Sequence, residues 1–237
     1  MNKIPCLCGT MYKPEDGCGS YCSEKCANEI PDRIAEHFKK QEESERRWDQ
    51  YFFQMIALVS SKSKDKSTQV GCVIVGPDKE VRSTGYNGFP RGVDDNIPER
   101  HERPAKYMWT EHAERNAIYN AAKVGIPIND CTMYADKPPC ADCARAIVQS
   151  GISELVIDGA EYEETLAHLG DRWKEQIEIG IQILKEGEVS LRISEGDDIP
   201  RYKCLLCGRD KFTKKNQPHK CKDGFRKRGF KFERTKR

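Results

Sequence analysis

No uninterrupted apolar run in this chain reaches the length of a membrane-spanning helix. The opening MNKIPCLCGT also lacks the basic-then-apolar order of a secretory signal. A membrane role is therefore not expected, and the chain is expected to be cytoplasmic. No internal repeat occurs. Net charge is nearly lacking as well, at +2 over 237 residues, yet the balance conceals an asymmetry. Residues 201–237 hold 15 Lys and Arg against three acids, a net of +12, and the remainder holds 25 against 35, a net of −10. A basic end is attached to an acidic body.

What the chain has in excess is cysteine, twelve in all. A reducing compartment disfavours disulfides and leaves thiolates for metal ions. Ten of the twelve fall into three short-spaced groups: Cys6, Cys8, Cys18, Cys22 and Cys26; Cys140 and Cys143; Cys204, Cys207 and Cys221. Cys72 and Cys131 stand alone in apolar, strand-like runs and read as ordinary buried thiols.

The length suits one domain with a sizeable core plus small appendages. Residues 1–30 form a cysteine-rich module and 31–45 a charged helical linker opened by Pro31. The core domain spans 46–187, 188–203 is a second linker, and 204–237 is a small Cys/His module with a basic tail. Trp48, Tyr51, Phe52, Met55, Ile56 and Val59 recur at spacings of three and four, which marks a packed helical face. The chain then alternates. Residues 69–75 and 80–87 predict a hairpin around the turn GPDK. A Gly, Pro and Arg-rich loop over 88–108 leads to a helix; 130–136 reads as a strand, 140–151 as a helix, 154–159 as a strand, 161–176 as a helix and 180–186 as a strand. Such alternation predicts a three-layer α/β sandwich with crossover connections.

Within that frame, WTEHAERNAIYNAA (109–122) sets Glu114 two places after His112. Two residues rotate a regular helix by about 200°, so both side chains share a pocket only if the helix starts there, with His112 near its cap. In KPPCADCARAI, Cys140 falls at a helix start, where free N–H groups and the helix dipole favour thiolate, and Cys143 lies one turn on. His112, Cys140 and Cys143 would give a tetrahedral Zn²⁺ three protein ligands and leave one position open, which is the pattern of catalytic zinc. Glu114 could then take a proton from an activated water and return it to a leaving nitrogen. H-x-E followed by P-C-x-x-C is the signature of zinc nucleobase deaminases. Taken singly, His112 could be a core histidine and the cysteine pair a structural knuckle.

The stretches KSKDKSTQVGCVIV, STGYNGFPRGVDD, EHAERNAI and TMYADKPPCADCARAIVQSGISELVI, within about residues 48–160, resemble the cytidine and deoxycytidylate deaminase superfamily, above all its deoxycytidylate (dCMP) branch. The resemblance implies a cytidine deaminase-like αβα sandwich with a five-stranded mixed sheet, and zinc held between two helix N-termini. It assigns His112, Cys140 and Cys143 as ligands, Glu114 as proton shuttle and the Ala113 backbone as a contact to the pyrimidine carbonyl. Asn87 matches the position that binds the sugar hydroxyl, although Asn-Gly is equally a turn signal. Lys62 and Ser63 stand where relatives carry Arg-Ser and become candidate 5′-phosphate contacts, with a solvated loop as the alternative for Lys62. A homo-oligomer and dCTP or dTTP effectors are further implications.

At the N-terminus, Cys6, Cys8, Cys22 and Cys26 resemble a treble-clef zinc site, with Cys18 able to replace a knuckle ligand. At the other end Cys204, Cys207, His219 and Cys221 offer a third site, for one catalytic and two structural zinc ions in total. Phe225, Phe230 and Phe232 interleave with Lys and Arg in the tail, which suits single-stranded nucleic acid, a solubilising tail, or a contact to an acidic neighbouring subunit. The expected activity is hydrolytic deamination of dCMP to dUMP and ammonia. A deaminase of polymeric DNA or RNA is the rival, and an inactive zinc-bound binding protein is the third reading, against which an intact Glu114 argues.

Overall fold

The computed structural model describes residues 24–168 and 170–194, together with two short paired strands, Ile4–Pro5 (β1) and Met11–Tyr12 (β2). Helix α1 (Glu24–Ser60) starts before Pro31 and runs through it. The helical linker expected over 31–45 is thus continuous with the helix that enters the core. Its buried residues Asp49, Phe52, Phe53 and Ile56 follow the three- and four-residue spacing of one helical face. The stripe differs from the expected one, because Trp48 and Tyr51 are 38% and 48% exposed. Asp49 takes the inward place instead, for a reason invisible locally. Its carboxylate accepts from Arg192 at 2.5 and 3.0 Å and from the Tyr134 hydroxyl at 3.0 Å, so a buried acid is paired.

The sheet has five strands in the order β4-β3-β5-β6-β7. Strand β3 (Gly71–Val75) is buried throughout and sits between β4 (Val81–Tyr86) and β5 (Thr132–Ala135), antiparallel to both. A continuous apolar run is what a strand covered on both faces needs. The β3–β4 hairpin forms as expected. Strands β6 (Glu154–Ile157) and β7 (Ser190–Ile193) continue the sheet in parallel, as crossover connections require.

Side chains alternate across the strands. Cys72, Ile74, Met133, Ala135, Leu155 and Ile157 share a core with residues of α3 (Ala113–Val124), α4 (Ala141–Gln149) and α6 (Asp171–Glu186). Tyr134 faces the other way, with its ring 4.8 Å from Phe52 and 5.7 Å from Phe53 of α1. Two helical layers thus enclose the sheet, giving the expected αβα sandwich with a five-stranded mixed sheet. Two shorter helices complete it: α2 (Lys106–Trp109) and α5 (Gly159–His168).

The chain departs from expectation near the end of the domain. Residues 180–186, expected as a strand, are the last turns of α6, and the helix expected over 161–176 divides at Gly170, the N-cap of α6. Buried Ile177, Gly180 and Leu184 lie three and four residues apart, so the segment packs as a helix despite its alternating isoleucines. The fifth strand is β7, inside the segment expected as a linker from 188, so the core domain extends past 187 to at least Ile193.

Candidate active site

Helix α3 begins where the His-x-Glu spacing required it to. His112 is the N-cap, with extended φ −80° and ψ 156°, and its carbonyl accepts from Asn116 N at 2.9 Å. Because His112 is outside the helical spiral, its ring and the Glu114 side chain converge. Glu114, only 4% exposed, lies in the first turn, where the helix dipole favours an acid. Helix α4 repeats the device. Cys140 is its N-cap, at φ −71° and ψ 169°, and Cys143 lies in its first turn.

His112 Nδ1 is 3.5 Å from Cys140 Sγ and 3.4 Å from Cys143 Sγ, and the three donor atoms lie within 4.8 Å of one another. Tetrahedral zinc with the usual Zn–N and Zn–S bonds places N and S about 3.6 Å apart. The donor set therefore fits zinc in both chemistry and spacing. The hydrogen bond from Cys143, followed by the His112 ring, holds the Cys140 thiol down to about 4 against the effect of burial. Cys143 moves the opposite way, since it donates that bond and is buried. Burial opposes charge on His112, but the Cys140 contact and the Glu114 carboxyl outweigh it and raise the imidazole. Burial raises the Glu114 carboxyl, with His112 pulling the other way. An acid raised in this way can gain and release a proton nearer neutrality than a surface carboxylate.

Several residues that hold this geometry carried no motif. Gly85 of β4 lies under the first turns of α3, and a Cβ there would stand 2.2 Å from Ala113 O and 2.3 Å from Ala117 N. The strand edge also fastens the helix: Asn116 Nδ2 donates to Tyr86 O at 2.8 Å, Asn120 Nδ2 to Thr84 O at 2.6 Å and Ser83 Oγ to Ala117 O at 2.7 Å. Gly180 does for Cys140 what Gly85 does for His112, because a Cβ on α6 would stand 2.6 Å from Pro139 O. Arg115 joins the two ligand helices. It donates to Glu111 at 2.6 Å and meets Asp142 of α4 at 3.5 Å, while Glu111 also accepts from His112 N at 3.0 Å. Asp142, flanked by both cysteines, carries the link to α4.

The remaining expected contacts divide. Ala113, fully buried, is the first residue of α3, where backbone N–H groups lack an intrahelical acceptor. Asn87 is buried with its amide engaged, since Oδ1 accepts from Val70 N at 2.8 Å and Nδ2 donates to Thr68 O at 2.9 Å. One lone pair and one N–H remain for a ligand. Ser63 is also buried, donating to Asn87 O at 2.7 Å and accepting from Asp65 N at 3.3 Å. Both bonds tie the loop together. Lys62 is exposed and lines a groove with Lys64, Tyr86, Phe89, His101 and Lys106. Cys6, Cys8, Cys18, Cys22, Cys204, Cys207, His219 and Cys221 lie outside the described residues, and of Cys26 the backbone alone is described, in the first turn of α1. No helix among the described residues is long and apolar enough to cross a membrane.

Two helix N-termini that bring one imidazole and two thiols together beside a buried glutamate define a zinc-dependent hydrolytic deaminase site. Residues 46–158 match the cytidine and deoxycytidylate deaminase zinc-binding region. An uncharacterized deaminase from the luxG 3′ region of Aliivibrio fischeri is 39% identical over 145 residues, 61% of this chain and 92% of that one. Deoxycytidylate deaminase from Mus musculus is 39% identical over 128 residues, 51% of this chain and 71% of the relative, and that from Homo sapiens is 37% identical over 123 residues, 50% and 68%. The chain belongs to the cytidine and deoxycytidylate deaminase family. Among solved structures, dCMP deaminase from cyanophage S-TIM5 aligns at TM-score 0.47 and 23% identity, over 62% of this chain and 96% of that one.

Proposed function

We propose that this chain converts dCMP and water to dUMP and ammonia. The observation that carries the reading is the approach of His112 Nδ1 to both thiols, at 3.5 and 3.4 Å, beside buried Glu114. His112, Cys140 and Cys143 would hold a zinc ion there, and its chemistry would be to acidify a water toward neutrality. Glu114 would take a proton from the water as its oxygen bonds to the amino-bearing carbon, deliver it to the adjacent ring nitrogen, and then pass the remaining hydroxyl proton to the amino group, so that the C–N bond breaks and ammonia leaves as the carbonyl forms. The Ala113 N–H donates to the pyrimidine carbonyl. Asn87 uses its remaining capacity on the sugar hydroxyl, and Lys62 meets the 5′-phosphate as a point charge. The deoxycytidylate preference is supported by the mouse and human relatives. A homo-oligomer, dCTP or dTTP as effectors, and structural zinc at each terminus accompany this reading.

The net +12 of residues 201–237 favours a second reading, deamination of a base in polymeric nucleic acid. Ammonia release from dCMP, dCTP, CMP, deoxycytidine and single-stranded DNA separates the two. Turnover of dCMP is expected, and turnover confined to the polymer would overturn the first reading.

A further inference from the structure

Trp173 lies in the first turn of α6, far in sequence from every motif residue, yet its ring centroid is 6.2 Å from the His112 imidazole at an interplanar angle of 35°. It also meets Tyr107 edge-on, at 5.8 Å and 67°. Tyr107 belongs to α2, in the long loop between β4 and α3, whose base is closed by paired Gly88 and Glu111 backbone bonds of 3.0 and 2.8 Å. Two segments with no sequence relation thus place an aromatic corner against a zinc ligand.

We propose that Trp173, backed by Tyr107, is the wall against which the substrate's base stacks, and so a residue that sets the site's affinity for its substrate. The inference rests on the deaminase reading above. A base whose amino-bearing carbon approaches the metal site must lie alongside the His112 ring. Ring pairs interact at centroid separations of about 4.5–7 Å, so a ring in that position falls within reach of Trp173. The indole is only partly buried, which leaves ring surface uncovered, whereas an indole serving the core alone would be enclosed. Tyr107, steeply inclined to the indole at 67°, backs the wall. A flat heteroaromatic ring is the ligand class such a corner takes, and stacking tolerates any base. Trp173 therefore governs affinity for the ring, and the choice among bases is left to the polar groups.

The test compares wild type with Trp173→Ala and Trp173→Phe, using dCMP as substrate. Loss of one base–aromatic stack is expected to raise KM about 10- to 100-fold in Trp173→Ala, with kcat changed less than about threefold and zinc content and Tm retained. Trp173→Phe is expected to restore most of the affinity. A second arm titrates dCMP into Glu114→Gln protein and follows tryptophan emission. Trp48 is on α1 and Trp109 lies beneath the Arg100 guanidinium, 4.0 Å from its ring, so quenching should vanish when Trp173→Phe is added. An unchanged KM in Trp173→Ala, or quenching that survives Trp173→Phe, overturns the wall. If Trp173→Ala does not fold, the emission arm decides. Normal turnover with Trp173-independent KM removes the wall and keeps the activity. Quenching that needs Trp173 without turnover removes the activity and keeps the wall, and neither turnover nor quenching removes both.

Discussion

Replacing Gly85 by alanine tests whether the floor beneath α3 sets the chemistry. The added methyl would stand 2.2 Å from Ala113 O and 2.3 Å from Ala117 N, so reaching an ordinary contact of 3.4 Å demands more than about 1 Å of separation between β4 and α3. Neither obstacle is a flexible side chain, since both are backbone atoms of the helix that carries His112 and Glu114. Overpacking of this kind costs about 1–3 kcal/mol, which for a domain of this size lowers Tm by roughly 2–12 °C. The same shift, felt at Glu114, should reduce kcat/KM by about 100-fold. The assay pairs thermal unfolding with steady-state deamination and zinc stoichiometry. Activity within threefold of wild type, at unchanged Tm, would show that β4 does not position the helix and would refute the reasoning.

Three further outcomes follow from the same geometry. Asp49→Asn weakens the acceptor of Arg192 and Tyr134 and, because Arg192 is a third exposed and keeps Glu154, is expected to destabilise by about 1–3 kcal/mol without altering KM; a denaturant midpoint near wild type would contradict it. Arg115→Gln cuts the bridge between the ligand helices and should weaken zinc binding about 10- to 100-fold in chelator competition, as loss of outer partners does; unchanged affinity would dismiss the bridge. Asp136 is raised well above the usual carboxylate range by burial, and its Oδ1 is buried without a hydrogen-bond partner. A raised acid favours the protonated fold, so its contribution is full below about pH 3.9 and is lost as pH climbs toward the folded-state pKa. Asp136→Asn should therefore match or exceed wild-type Tm at pH 7, with a flatter pH profile, and a lower Tm there would show that Asp136 has a partner when charged.

The reactive residues were legible because their chemistry is local. His112 and Glu114 are two apart, Cys140 and Cys143 three apart, and the first residue of each pair sits at a helix start that the shared pocket required or the preceding prolines marked. What was not legible is what two distant segments do to each other. Gly85 and Gly180 look like ordinary strand and helix positions until α3 and the Cys140 loop are laid against them. For Ser63 and Asn87 family position was the sole signal, and their backbone partners in the 65–87 region, which leave Asn87 one lone pair and one N–H for a ligand, could not be read from it. The 180–186 segment shows the opposite failure. Alternating isoleucines favour a strand, and the buried spacing of Ile177, Gly180 and Leu184 becomes decisive only with α4 as a neighbour. Asp49 replaced Trp48 at the core face for a partner 143 residues away.

The central claim is that His112, Cys140 and Cys143 share one zinc ion whose fourth position is left for a non-protein ligand beside Glu114. X-ray absorption of the zinc-loaded Cys140, Cys143 and His112 single variants, each to Ala, set beside Glu114→Gln, addresses it directly. For zinc at this centre, wild type should show one nitrogen and two sulfur neighbours from these residues plus a light-atom ligand. Each ligand variant should lose its own scatterer or the metal, and Glu114→Gln should retain the full set while losing turnover. A fourth protein scatterer at that centre, or full deaminase activity in Glu114→Gln, would contradict the account.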